Sequence, residues 1–249
     1  MNPTAQTLYE VCDNTWPARR QVTHGPWILR DGDCGGKRVS AATAIAAVRP
    51  EHIAEAEDGM AGLGQAPLFM LRETDDAMDC LLADKGYEIV DPVAMYAAPI
   101  DYLTDQPIPP VTAFSVWEPL AIMKEIWAKG GIGPARLRVM ARAENKTGIL
   151  SRWNEKPAGV AFAAIHHQVC MVHAVEVLSS QRRQGVAAWM MRKAAFWAAD
   201  QGATHVSVLC TFANGPANAL YSKLGFEAVG RYHYRHQTKG QTCQLSPPP

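Results

Sequence analysis

VHAVEVLSSQRRQGVAAWMMRKAAFWAADQ, residues 172–201, is the stretch whose reading decides the fold. Its first part alternates, with His173, Val175 and Val177 on one side of an extended chain, and this predicts a strand. Its last part sets Trp189, Met190, Lys193, Phe196 and Trp197 at helical spacing with alanines between them, and this predicts a helix. The connection is a tight basic turn with a single glycine, Gly185. A helix that starts straight after a strand presents backbone N–H groups with no intrahelical partner, at the positive end of its dipole. Arg182 and Arg183 add full charges there, and Gly185 lets the backbone approach closely. The turn therefore suits a phosphate or pyrophosphate, although an ordinary solvated helix start would use the same residues.

Downstream, a second strand (His205 to Cys210) leads into Asn214-x-x-Ala217-x-x-Leu220-Tyr221-x-x-Leu224-Gly225-Phe226. The basic turn fits Gln/Arg-x-x-Gly-x-Gly/Ala as Arg182-Arg183-Gln184-Gly185-Val186-Ala187. Taken in order, these pieces resemble the GNAT superfamily of acetyl-CoA-dependent N-acetyltransferases, from about Ala113 to Tyr234, and only faintly over the first hundred residues. The resemblance implies an α/β (α+β) fold with a mixed, mostly antiparallel central sheet and helices on both faces. It implies acetyl-CoA as acyl-donor substrate, no metal, and direct attack by a primary amine of a small molecule or peptide in a ternary complex. A noncatalytic acyl-CoA-binding or regulatory module of the same fold is the alternative.

The resemblance also implies roles. The backbone from Arg182 through Arg183, Gln184, Gly185 and Val186 to Ala187 would surround the pyrophosphate. Backbone groups of Val175 and Val177 would bond the pantetheine arm, with the Val175 N–H toward the thioester oxygen. Asn214 would contact the donor, and on its own it reads as a helix N-cap. Tyr221 would protonate the departing thiolate, and on its own it reads as a core aromatic. The base stays open. His173 shares a strand face with Val175, whereas strict alternation puts Glu176, the nearest carboxylate, on the opposite face unless a bulge intervenes. His166 and His167 are further candidates, and a water chain could take the proton instead.

With 249 residues and formal net charge +0, the chain has ample material for a core and no global basic field. That disfavours general nucleic-acid binding. The apolar runs are too short to span a bilayer, and the N-terminus lacks a secretory pattern. The six cysteines form no Cys-x-x-Cys pair, so they read as reduced thiols in the cytoplasm. His173 with His166, His167 or Cys170 has no ligand spacing for a metal, and neither nucleotide glycine motif is present.

Along the chain we expect helices over 7–19, 51–60, 75–85, 117–129 and 134–141. Strands are expected over 25–30, 37–47, 68–71, 87–90, 93–98, 147–153, 158–165 and 227–234. The proline-rich run from Pro99 to Pro110 reads as an extended connector dividing the chain into 1–110 and 111–249. Gly86-Tyr87-Glu88-Ile89-Val90 echoes Gly225-Phe226-Glu227-Ala228-Val229, so the first half reads as a degenerate GNAT-like copy of the second. It has no basic glycine turn and is not expected to bind the donor. Its expected roles are to extend the sheet, cover one side of the cleft or recognise the acceptor.

Overall fold

The computed structural model describes residues 2–237. In chain order the elements are α1 (Ala5–Thr15), β1 (Arg20–His24), β2 (Trp27–Asp31), β3 (Thr43–Ala44), α2 (Pro50–Gly62), β4 (Leu68–Arg72), α3 (Asp76–Asp84), β5 (Glu88–Pro99), α4 (Asp101–Thr104), β6 (Ala113–Val116), α5 (Ala121–Lys129), α6 (Pro134–Arg142), β7 (Lys146–Trp153), β8 (Lys156–His166), β9 (Val169–Val177), α7 (Val186–Asp200), β10 (His205–Thr211), α8 (Gly215–Lys223) and β11 (Glu227–His236). They form two compact units. Among the described residues one holds 2–17 and 93–230, the other 18–92 and 231–237.

In the larger unit the strands run β5-β10-β9-β8-β7-β6, antiparallel throughout except for the parallel pair β9 and β10. This is the mixed, mostly antiparallel sheet expected. Two-residue turns at Asn154-Glu155 and His167-Gln168, all four at positive φ, close the β7–β8 and β8–β9 hairpins. Alternation then sorts side chains by face. Ala161 and Ala163 of β8 and Val172 of β9 pack with Met190, Met191 and Ala194 of α7. On the other face Phe162 meets Trp16, just beyond α1. A Cβ on Gly148 of β7 would lie 2.6 Å from the Met123 methyl of α5, so glycine lets that helix sit close.

The smaller unit has an antiparallel sheet β1-β2-β3 and the antiparallel pair β4–β11. Trp27, Leu29, Ile53, Met60, Phe69, Leu71 and Leu82 make its core. Asp79 on α3 accepts from His233 Nε2 at 2.9 Å and Arg235 Nε at 2.5 Å on β11.

Three expectations are corrected. Lys37–Ala47 is not a strand. Ser40 and Ala41 N–H groups both turn back to Lys37 O, and only Thr43–Ala44 pairs, because this alanine-rich segment has few β-branched residues. The 99–110 segment is not wholly extended, since α4 interrupts it and buries Leu103. The helix expected from Trp117 starts at Ala121 and follows strand β6, because Pro119 disfavours a helical Glu118. The segments 87–90 and 93–98 join into one strand, β5, with Asp91 at φ 46. The C-terminal tail, read as irregular from its sequence, and Cys243 lie outside the described residues.

Candidate active site

The parallel pair β9–β10 is in register only from Val169↔His205 to Val172↔Val208. Both strands run on, β9 to Val177 and β10 to Thr211, with no further pairing between them among the described residues. They therefore splay, and helices α7 and α8 each start just beyond the strand ends. A wedge at the carboxyl ends of parallel strands, closed by two helix starts, is where an open α/β sheet accepts a ligand.

The splay has a local cause. Phe162 pairs with His173, but Val160 pairs with Glu176, so β9 carries one extra residue opposite Ala161. Ala174 takes φ 51, and Trp127 Nε1 of α5 donates to Ala174 O at 2.8 Å, holding the bulge. This corrects the strand faces. His173 does not share a face with Val175. It lies with Glu176 on the face of Phe162, while Val175 and Val177 pack into the α7 cluster.

His173 is 4% exposed. Its Nε2 lies 2.9 Å from Thr15 Oγ1, and that hydroxyl already donates to Val11 O at 2.7 Å, so Nε2 carries the proton and donates to Thr15. Trp16 covers the ring at a centroid distance of 5.0 Å. The imidazole thus anchors α1 to the sheet. Glu176 is different. Its side chain lies against Gly130 at the end of α5, where an added Cβ would come within 2.4 Å of its carboxyl carbon. Burial raises the pKa of this carboxyl, while Arg182 and Arg136 pull it back down. His166 and His167 lie with ring centroids 4.0 Å apart, tilted to each other, at the hairpin turn at the opposite end of the β8–β9 ladder from Glu176.

At the α7 start, Leu178 N donates to Ala158 O and a 3₁₀ turn covers Ser179–Gln181. Arg183 (φ 66) and Gly185 (φ 77) then take left-handed conformations. Gly185 is the N-cap, with no side chain capping the helix. The first helical bond is Trp189 N to Gly185 O at 3.1 Å, so the Val186, Ala187 and Ala188 N–H groups have no intrahelical acceptor. A Cβ at Gly185 would meet nothing closer than Trp189 Nε1 at 3.9 Å, so the space before the cradle is open. Val186 is buried and fixes the turn, whereas Arg182, Arg183 and Gln184 are exposed. Arg182 Nε reaches Val177 O at 3.4 Å. This charge and geometry fit a pyrophosphate.

On the other arm, Asn214 caps α8, its side chain accepting from Ala217 N at 3.3 Å. Asn218, not singled out from the sequence, is the better connected residue. Its Nδ2 donates to Thr211 O at 3.0 Å and Phe212 O at 3.2 Å, and its Oδ1 accepts from Tyr96 Oη at 3.1 Å. Only its spacing of four from Asn214 could have marked it. Tyr221 is one turn further on, with its ring 6.0 Å from Tyr96 and 5.7 Å from Phe226. Burial, aided by the Cys210 thiol, raises its phenol well above the usual range, so it keeps its proton. Among the described residues no cluster of three or more His, Cys, Asp or Glu is arranged to hold a metal, and no helix is long and apolar enough to cross a membrane.

The family model described as Acetyltransferase (GNAT) family matches residues 116–226. Curated protein sequences give no match. A GCN5-related N-acetyltransferase from Kribbella flavida has a similar structure, with 22% identity, TM-score 0.67, and 95% of this chain and 96% of that one covered. A structure from Novosphingobium aromaticivorans assigned to the GNAT family gives 19%, 0.54, and 91% and 96%. A tandem GNAT protein of the clavulanic acid biosynthesis pathway gives 14%, 0.56, and 78% and 74%. These likenesses are of fold.

Proposed function

We propose that this protein, whose residues 116–226 match the GNAT acetyltransferase family model, transfers an acetyl group from acetyl-CoA to a primary amine of a small molecule or peptide, in one step within a ternary complex. The observation that carries this reading is the splayed β9–β10 pair leading into the uncapped α7 start. Acetyl-CoA, when bound, supplies an activated acetyl thioester.

The chain's own residues then divide the work. N–H groups from Arg182 to Ala187 hold the pyrophosphate, and the exposed Arg182 and Arg183 side chains neutralise it. Backbone groups of Val175 and Val177, on the splayed end of β9, order the pantetheine arm. A backbone N–H at Val175 facing the thioester oxygen would be worth about 3 kcal/mol of transition-state stabilisation. Asn214 fixes the loop at the other wall. Glu176, half-buried beside Gly130, takes the amine's proton. His173 is committed to Thr15, so we assign it to positioning the bulge. Tyr221 gives its proton to the departing thiolate. The phenol is protonated at neutral pH, and burial favours that form further.

We also propose that residues 1–110 are a degenerate GNAT-like half. Supporting this, α3 ends at Gly86 (φ 80) and runs into β5, as α8 ends at Gly225 (φ 81) and runs into β11. Five free cysteines among the described residues fit a reducing compartment, and we place the protein in the cytoplasm.

Calorimetric titration with acetyl-CoA, coenzyme A and ATP tests the donor assignment. Micromolar binding of the first two, abolished by Arg182→Glu with Arg183→Glu, is expected. Full binding by that folded double variant would overturn it. Thiol release in the presence of an amine panel then tests transfer.

A further inference from the structure

The smaller unit contains a pocket of about 630 Å³ that the proposed acetyl transfer does not use. Its volume lies in the range of small-molecule sites, about 300–1,000 Å³. The 31–37 loop and the 63–68 loop form its walls. These walls are built rather than slack. Asp33 (φ 47) and Cys34 (φ 57) are held consecutively in the left-handed region, and Gly36 lies at φ 103. Gly32 has no room for a side chain, since a Cβ would fall 1.9 Å from Ser40 Oγ. Gln65 ties the two loops, accepting from Gly32 N at 2.7 Å and donating to Arg30 O at 2.7 Å.

The charged groups of the lining select the ligand. Arg19 and Asp31 are fixed as neighbours by the bond from Arg19 N to Asp31 O at 2.9 Å. Their side chains nevertheless meet only at 3.9 Å, beyond hydrogen-bond reach, and the Arg19 guanidinium has no other side-chain partner among the described residues. One Asp31 oxygen accepts from Asp33 N at 3.2 Å, which leaves most of the carboxylate's acceptor capacity unused. Lys37, by contrast, is satisfied by Asp91 at 2.6 Å. The pocket thus offers a loosely paired guanidinium and carboxylate side by side, with hydrogen-bonding capacity to spare, next to the apolar wall of Leu63, Pro67 and Leu68. The lining carries carboxylates, Asp31 and Asp33, together with the cations Arg19 and Lys37, which suits a ligand bearing both charges better than a simple anion. Among the lining residues only His236 is aromatic, and none is Phe, Tyr or Trp, so the site lacks a broad stacking platform for a base or sugar.

We propose that this pocket binds a free α-amino acid with an apolar side chain. Its ammonium and carboxylate hang from one carbon, so they reach two protein charges that stand together. The ammonium takes the open Asp31 oxygen, the carboxylate takes Arg19, and the side chain lies along Leu63 and Pro67. The binding is independent of the α7 cradle and of acetyl transfer.

The test uses the full chain and the common L-amino acids, by thermal shift and calorimetry. The expected result is saturable binding of one or more apolar amino acids. The amide of that amino acid (cation only) and its N-acetyl form (anion only) should each bind at least tenfold more weakly. Arg19→Gln and Asp31→Asn should each weaken binding at least tenfold, without changing acetyl-CoA affinity. Arg19 is 67% exposed, so its variant keeps the fold should Asp31→Asn lower the protein's own Tm. Absence of binding by every amino acid, equal binding of the N-acetyl form, or unchanged binding by Arg19→Gln would overturn the proposal.

Discussion

Substituting Gly185 by alanine separates the donor cradle from the fold that carries it. Gly185 lies at φ 77, a conformation that costs an L-residue about 1–2 kcal/mol. The new Cβ meets only Trp189 Nε1, at 3.9 Å, so no packing penalty adds to that strain. For a chain of this length each kcal/mol is worth about 2–4 °C, so the variant should melt about 2–8 °C lower. The same methyl would stand in front of the Val186–Ala188 N–H groups and keep a pyrophosphate from closing on them. Acetyl-CoA affinity should therefore fall at least tenfold, about 1.4 kcal/mol. Gly202→Ala is the control. It lies just past the other end of α7 at φ 80 with nothing within 4 Å, so it carries the same strain far from the cradle. It should lose the same few degrees and bind acetyl-CoA as wild type does. Melting curves and calorimetric titration of both variants read the two effects separately. Wild-type affinity in Gly185→Ala, or equal losses of affinity in both variants, would refute the assignment of the α7 start as the donor cradle.

Three further outcomes follow from the charged and polar groups. As the proposed base, Glu176 would work only when deprotonated, so kcat/KM should fall with decreasing pH through a pKa above the usual carboxylate range. Glu176→Gln should remove that limb and lower kcat about 10²–10⁴-fold, and an unchanged limb would move the base elsewhere. Because the folded pKa is raised, the stability linked to Glu176 is full below its unfolded pKa and lost as pH rises through the folded one. Glu176→Gln should therefore melt higher than wild type at neutral pH. Tyr221→Phe should lower kcat about 10²-fold and leave acetyl-CoA affinity unchanged, and full kcat would make the ring a packing residue only. At Asp79, the Arg235 hydrogen bond leads the forces that lower the pKa. Its stabilisation is present above the unfolded carboxylate pKa and lost as pH falls through the folded one, so Asp79→Asn should flatten the acid side of a Tm-against-pH curve, and an unaltered curve would refute the linkage.

Where local chemistry decides structure, the sequence was legible. Pro50 opens α2, Gly86 follows α3 at φ 80, and the Asn154-Glu155 and His167-Gln168 turns close hairpins where turn residues were read. The basic turn and the Asn214 cap stand where the motif put them. Pro119 held a signal that the amphipathic pattern outweighed, and it moved the α5 start to Ala121. The strand faces of β9 were not legible. Ala174 gives no hint of positive φ, and the contact that holds it comes from Trp127, in a helix about fifty residues earlier. Asn218 was hidden for the same reason, since its partners Tyr96 and Thr211 lie on two different strands.

The extra residue at Ala174 does two things at once. Pairing with β10 stops at Val172, immediately before the bulge, so the wedge opens where the bulge begins. The same shift changes which side chains face which helix. Under strict alternation from His173, Glu176 would point into the cluster of Val186, Met190 and Ala194, where an unpaired carboxylate costs several kcal/mol. With the extra residue, valines fill that cluster, and the carboxylate goes to the opposite face beside Gly130 and near Arg182 and Arg136. A carboxylate at the open end of β9 and a dry core under α7 are compatible only because of this irregularity. The bulge that defeats the alternation rule is thus what lets the strand serve both the core and the candidate site.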